Sequence, residues 1–220
     1  MNKGRKFFTI LLIIVIIATV ALLGYIAYNY ISNYINSKEA AKVVEEFESE
    51  VQNIITIEIG EENTNNQEEN KEASSNTVLP TQANKVTKKY KGYNMIGTIK
   101  IPKTKVSYPI VDSTSPSAMD TAIVMLYGVG LNKEGNTVIA GHNYRNGGFF
   151  GNNKKLQNGD TIYITDEVGT TIEYEIYNKY ITEDSDFSYA TRNTNGKKEI
   201  SLSTCTNDST KRLVIWAKEK

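Results

Sequence analysis

The sequence predicts an all-β domain, a compact barrel of short strands with a few short helices, behind an N-terminal helix that crosses a membrane. Three observations carry this. From about residue 90 onward, short runs of alternating apolar and polar residues recur between turn signals, the period of a half-buried strand. Fourteen Tyr, six Phe and one Trp favour the pleated surfaces on which aromatic side chains pack well. Ahead of them stands an uncharged apolar run from Phe7 to Tyr28, long enough to span a hydrocarbon core as a helix.

Taken in order, residues 1–6 form a short N-terminus carrying Lys3, Arg5 and Lys6, and 7–28 form the transmembrane helix. The basic residues before the span and Glu39, Glu45, Glu46, Glu48 and Glu50 after it place the N-terminus in the cytoplasm and the remainder outside, a single-pass protein of the cell membrane. A cleaved signal peptide is the competing reading, but its apolar region is typically only about 7–15 residues. Residues 29–89 read as stalk and linker. Within them Ala40, Val43, Val44, Phe47, Val51, Ile54 and Ile55 recur at helical spacing, an amphipathic helix, whereas 60–84 is rich in Glu, Asn, Gln, Ser and Thr and lacks the apolar side chains needed to offset ordering entropy. Residues 90–220 form the barrel domain. Its strands are predicted in MIGTIKIP, KVSYPIV, NTVIAGH, DTIYITD, TIEYEIYNKY, EISLSTC and KRLVIWAK, seven or eight in all, with helical pieces only at 117–124 and, as a short turn, 148–156. An antiparallel barrel closes such a set while leaving few exposed edges.

Twenty-five basic residues balance 25 acidic ones, so no global field draws in nucleic acid. One Cys excludes an internal disulfide, and one Cys with one His argues against a protein-only metal site, so neither metal nor cofactor is expected. Cys205 closes the run EISLSTC and His142 closes NTVIAGH, so each stands where a strand gives way to a polar loop, as functional residues often do. Arg212 opens the final strand seven positions beyond Cys205, about one tight connection away. The three types suit acyl transfer: a thiolate attacks a carbonyl, an imidazolium protonates the departing amine, and a guanidinium holds charge on the oxygen. Singly, each has a plainer reading as a packed thiol, a loop His and a surface Arg. A secreted cysteine peptidase or amidase would use the same chemistry, although papain-like folds put Cys before His and on a helix. A non-enzymatic membrane-anchored β-barrel scaffold with a buried thiol also remains open at this point.

The stretch Ser201-Leu202-Ser203-Thr204-Cys205 resembles the Thr-Leu-x-Thr-Cys signature of sortases, with Ser in first place. Gly141-His142-Asn143 within VIAGHNYRNGGFFGNNKKL is similar to the sortase histidine segment, and Arg212 in RLVIWA to the arginine of the family's last strand. Three separated motifs in the family's order, spread over about Tyr93 to Lys218 behind an apolar helix, make the resemblance specific. It implies an eight-stranded sortase-type β-barrel that cuts an LPxTG-like C-terminal sorting signal of a secreted protein and joins it to an amine of a cell-wall precursor or a pilin of a Gram-positive bacterium. On that resemblance Cys205 is nucleophile, His142 general acid and then base, and Arg212 the oxyanion group, while Ser203, Thr204 and Asn143 bind substrate.

Within the family the pattern is closer to class D or class A than to class B, whose long helical insert between Glu175 and Cys205 is missing. Glu183, Asp184 and Asp186 occupy the loop where some class A enzymes hold calcium, but three acids in one loop read more simply as solvated. Leu79-Pro80-Thr81-Gln82-Ala83 looks superficially like a sorting signal, yet Gln82 stands where Thr would be needed.

Overall fold

The computed structural model describes residues 3–64 and 85–220, with backbone alone at Lys3 and 55–64. Most of the linker expected at 60–84, including Leu79–Ala83, lies outside the described residues. Two compact units divide after Glu39. In the first, helix α1 (Lys3–Thr64) begins, and its apolar side chains from Phe7 to Ile35 are exposed. Among the described residues α1 is the one helix long and apolar enough to cross a membrane.

In the second unit the same helix continues, but its apolar residues are now inside. Ala40, Val44, Phe47 and Val51, spaced by three or four residues, are at most 1% exposed, and Ala40, Phe47 and Val51 share a core with Met95, Ile99 and Ile101 of the barrel. Charges seal the edge of this contact: Glu48 pairs with Lys100 and accepts from the Thr98 hydroxyl, and Lys88 bridges Glu46 and Glu50.

The barrel follows from nine strands: β1 (Lys89–Tyr90), β2 (Tyr93–Ile101), β3 (Val106–Val111), β4 (Ile123–Tyr127), β5 (Gly135–Ala140), β6 (Thr161–Asp166), β7 (Thr171–Glu183), β8 (Lys198–Cys205) and β9 (Lys211–Glu219). Strand β1 is a two-residue extension paired to β2. The other eight close a ring in the order β2-β3-β4-β5-β8-β9-β7-β6, with β6 returning to β2. The eight-stranded closed barrel expected from the sequence is therefore present. It is not wholly antiparallel, because β3 runs parallel to β4 and β5 parallel to β8.

Strand β4 corrects the helix expected over 117–124. Helix α2 (Pro116–Thr121) starts as its Pro and the Ser115 cap dictate, but Ala122 is extended and the β-branched pair Ile123 and Val124 joins the sheet. The turn expected at 148–156 contains a single 3-10 turn, Asn153–Lys155.

Side chains alternate along β8 and β9, with Ile200, Leu202, Ile215 and Ala217 inside the barrel. Ser201, Ser203, Val214 and Trp216 therefore face outward, where the segment 184–197 lies over them and Tyr189 packs with Val138 and Val214. That cover is fastened by polar contacts. Arg192 pairs with Glu199, donates to Asn136 Oδ1 at 2.9 Å and stacks 4.7 Å over Trp216, and Asn136 Nδ2 donates to the Tyr189 and Ala190 carbonyls. Ser201, where the family signature has Thr, donates to Asn136 Oδ1 at 2.9 Å.

Candidate active site

Register brings the three chemical residues to one rim. In the parallel pair β5–β8 the last match is Ala140 with Ser203, so His142 and Cys205, two residues further on each strand, leave the sheet side by side. In the antiparallel pair β8–β9, Cys205 lies opposite Arg212. Arg212 Nη1 donates to Cys205 Sγ at 2.6 Å, setting a guanidinium against the sulfur. The sulfur side chain is half-buried.

Backbone contacts tie the histidine segment to the cysteine strand. Gly141 N donates to the Ser203 carbonyl at 3.3 Å, Thr204 Oγ1 donates to the Gly141 carbonyl at 2.6 Å, and Asn143 Nδ2 donates to the Cys205 carbonyl at 2.8 Å. The three residues that the sequence assigns to substrate binding thus already have partners in the fold. Ser203 is 5% exposed, with its hydroxyl 3.1 Å from Tyr189 Oη, and Thr204 is 4% exposed. Asn143 also donates to Asn207 Oδ1 at 3.2 Å, linking the segment after His142 to the loop after Cys205.

Both flanking loops are locked by local geometry. After His142 the chain doubles back: Phe150 N donates to the His142 carbonyl at 3.0 Å, and Phe149 stacks between Tyr144 and Tyr108. Gly151 is required there, since a Cβ would stand 2.1 Å from the Tyr144 carbonyl oxygen. After Cys205, the Thr206 hydroxyl and the Thr210 amide both donate to Asp208 Oδ1. These bonds, the Thr206 hydroxyl first, pull the Asp208 carboxyl down to about 2.

Between the two loops opens a cavity of about 750 Å³. Thr204, Cys205 and Leu213 line it along the strands, Asn143 and Phe150 on one wall, and Asp208 on the other. An extended peptide can reach the thiol there. Glu183, Asp184 and Asp186 are not gathered: Glu183 pairs with Lys211, and Asp186 accepts from Thr182 and Ser188. No group of three or more His, Cys, Asp or Glu is placed to hold a metal among the described residues.

One residue at the site escaped the sequence. Asp120, on α2, places Oδ1 3.0 Å from His142 Nε2. Its charge, after burial, also pushes up the neighbouring Tyr144 hydroxyl, whose ring lies 5.2 Å from that of His142. A helical piece at 117–124 was legible, but only the fold reveals that α2 sets Asp120 beside the histidine.

Residues 99–220 match the family model of the Sortase domain. Solved structures agree with this. The chain is 30% identical to a sortase D5 transpeptidase of Clostridium perfringens, over 57% of this chain and 79% of that one, with a TM-score of 0.52. A sortase A lid mutant of Corynebacterium diphtheriae is 26% identical over 64% and 74% of the two chains, TM-score 0.52. A pilus-related sortase C of Group B Streptococcus is 28% identical over 57% and 67%, TM-score 0.52. No curated protein sequence matches the chain.

Proposed function

The chain belongs to the sortase family, and we propose that it is a membrane-anchored cysteine transpeptidase that cuts an LPxTG-like sorting signal and transfers the acyl group to an amine. The observation that carries this reading is the contact of Arg212 with Cys205 at 2.6 Å, with Cys205 lining a cavity of about 750 Å³ and standing beside the end of the histidine strand. In the proposed reaction the Cys205 thiolate attacks the carbonyl carbon of the scissile bond, and Arg212 holds the charge that develops on the oxygen. His142 protonates the departing amine, leaving a thioacyl enzyme. An amine of a peptidoglycan precursor or a pilin, its proton taken by His142, then attacks the thioester and releases Cys205.

The exposed apolar side chains of α1 and the basic residues before them support a single-pass anchor with the N-terminus in the cytoplasm and the barrel outside. Tyr25 and Tyr28 at the end of the apolar run, with Tyr30 and Tyr34 just past it, suit the outer interface. Among sortases, the 30% identity to the C. perfringens sortase D5 supports class D first, with the class C and class A structures close behind at 28% and 26%.

The test is incubation of the full chain in detergent with a panel of LPxTG-like peptides and an added amine, read by mass spectrometry beside Cys205→Ala. We expect an amine-ligated product and a thioacyl adduct, both lost in the variant. Hydrolysis without ligation would instead indicate a peptidase, and an unreactive thiol a scaffold.

A further inference from the structure

His142 has two ring nitrogens, and the fold commits one of them. Nε2 lies 3.0 Å from Asp120 Oδ1, whereas Nδ1 has no hydrogen-bond partner among the described residues. A carboxylate only accepts, so the shared proton sits on Nε2. Asp120 is not on a loose loop. Helix α2 is capped by Ser115 Oγ, which accepts from Ala118 N at 3.2 Å, and the Tyr93 hydroxyl donates to Ser117 at 2.7 Å. Ala118 is fully buried, and the parallel β3–β4 pairing fixes the chain on both sides of the helix.

The geometry points to Asp120 as a positioning residue that keeps Nε2 protonated and turned towards α2, so that Nδ1 is the atom exchanging the proton with substrate. This rests on the reading of His142 as general acid. The imidazolium gives its Nδ1 proton to the leaving nitrogen as the C–N bond breaks and the oxyanion electrons restore the carbonyl. The ring is then neutral, with its remaining proton on Nε2 against Asp120. In the second half, Nδ1 takes the proton of the attacking amine as the C–S bond breaks, which restores the imidazolium and the thiolate. Holding the ring in this way removes a tautomer and rotamer search from each half-reaction.

Asp120 has a 68% exposed side chain, so water competes for the bond and its loss costs activity on the order of fivefold. The single histidine makes the test direct. In the full chain in detergent, 15N-labelled at histidine, a downfield Nε2–H resonance is expected in the wild type and in Asp120→Asn, which keeps an acceptor, and is expected to vanish by exchange in Asp120→Ala. A resonance on Nδ1, survival in the Ala variant, or its loss in the Asn variant overturns the proposal. In parallel, Asp120→Ala should slow thioacyl-enzyme formation about fivefold in a single turnover on an amide peptide but leave acylation by a thioester analogue unaffected, because a thiolate departs without a proton. Equal losses on both substrates would mean a merely structural role. If the wild type cleaves neither, the transpeptidase reading fails while the resonance still decides what Asp120 does.

Discussion

The contact of Arg212 Nη1 with Cys205 Sγ draws on both the charge and the shape of a guanidinium. Its planar fork can keep one N–H on the sulfur while another meets a carbonyl oxygen, and the single ammonium of Lys cannot do both from the same anchor. Arg212→Lys is therefore expected to reduce turnover on the order of a hundredfold, the scale of losing an oxyanion donor, with thermal unfolding within about 2 °C of wild type. A parallel fall in unfolding temperature would show that Arg212 mainly supports the β8–β9 pairing. These residues were legible because their types are rare in the chain and each ends or opens a predicted strand. Asp120 was not, since an acid on a short helix has no local mark and becomes part of the site only through the β3–β4 crossover.

At the level of elements, strands with strict alternation were legible, but Ile123–Tyr127 was not: IVMLY follows a short capped helix without a turn signal of its own. The pairing of β5 with β8 is equally invisible locally, because its partners are about 60 residues apart. The hairpin loop 206–210 shows what a local sequence can fix. Its Thr206-Asn207-Asp208-Ser209-Thr210 composition is that of a side-chain-bonded turn, and Asp208 accepts from both ends of it. A folded value of about 2 lies below the ordinary carboxylate range, so the ionised form is bound more tightly in the folded loop. The contribution is fully present above the unfolded carboxylate value near pH 4 and is lost as pH falls through about 2. An NMR titration of the Asp208 carboxyl should have its midpoint near 2, with the Thr210 amide losing protection over the same range. A midpoint near 4 would mean that the loop is not held in this way in solution.

For the whole molecule, the barrel accounts for most of the core, yet part of that core comes from α1. The spacing of Ala40, Phe47 and Val51 announced an apolar helical face, but a sequence cannot say what such a face covers, and a stalk standing free of the barrel was as compatible with the pattern as a docked one. In the second unit the face is docked, and Val44, Phe47 and Val51 are buried. Each side chain of this kind contributes roughly 1.5–3 kcal/mol on full burial, against a domain stability of only about 5–15 kcal/mol. Removing the helix also leaves Lys100, Lys88 and Thr98 without their glutamate partners and opens Met95 and Ile99 to water. Ordering the helix costs conformational entropy, so the net loss is smaller than the summed burial. A chain of residues 85–220 should therefore unfold about 10 °C below one of residues 36–220, bind a hydrophobic dye more strongly, and lose turnover on warming before the longer chain does. Scanning calorimetry of the two decides it: coincident transitions would make the helix a tether, whereas the expected gap makes residues 40–54 part of the catalytic unit.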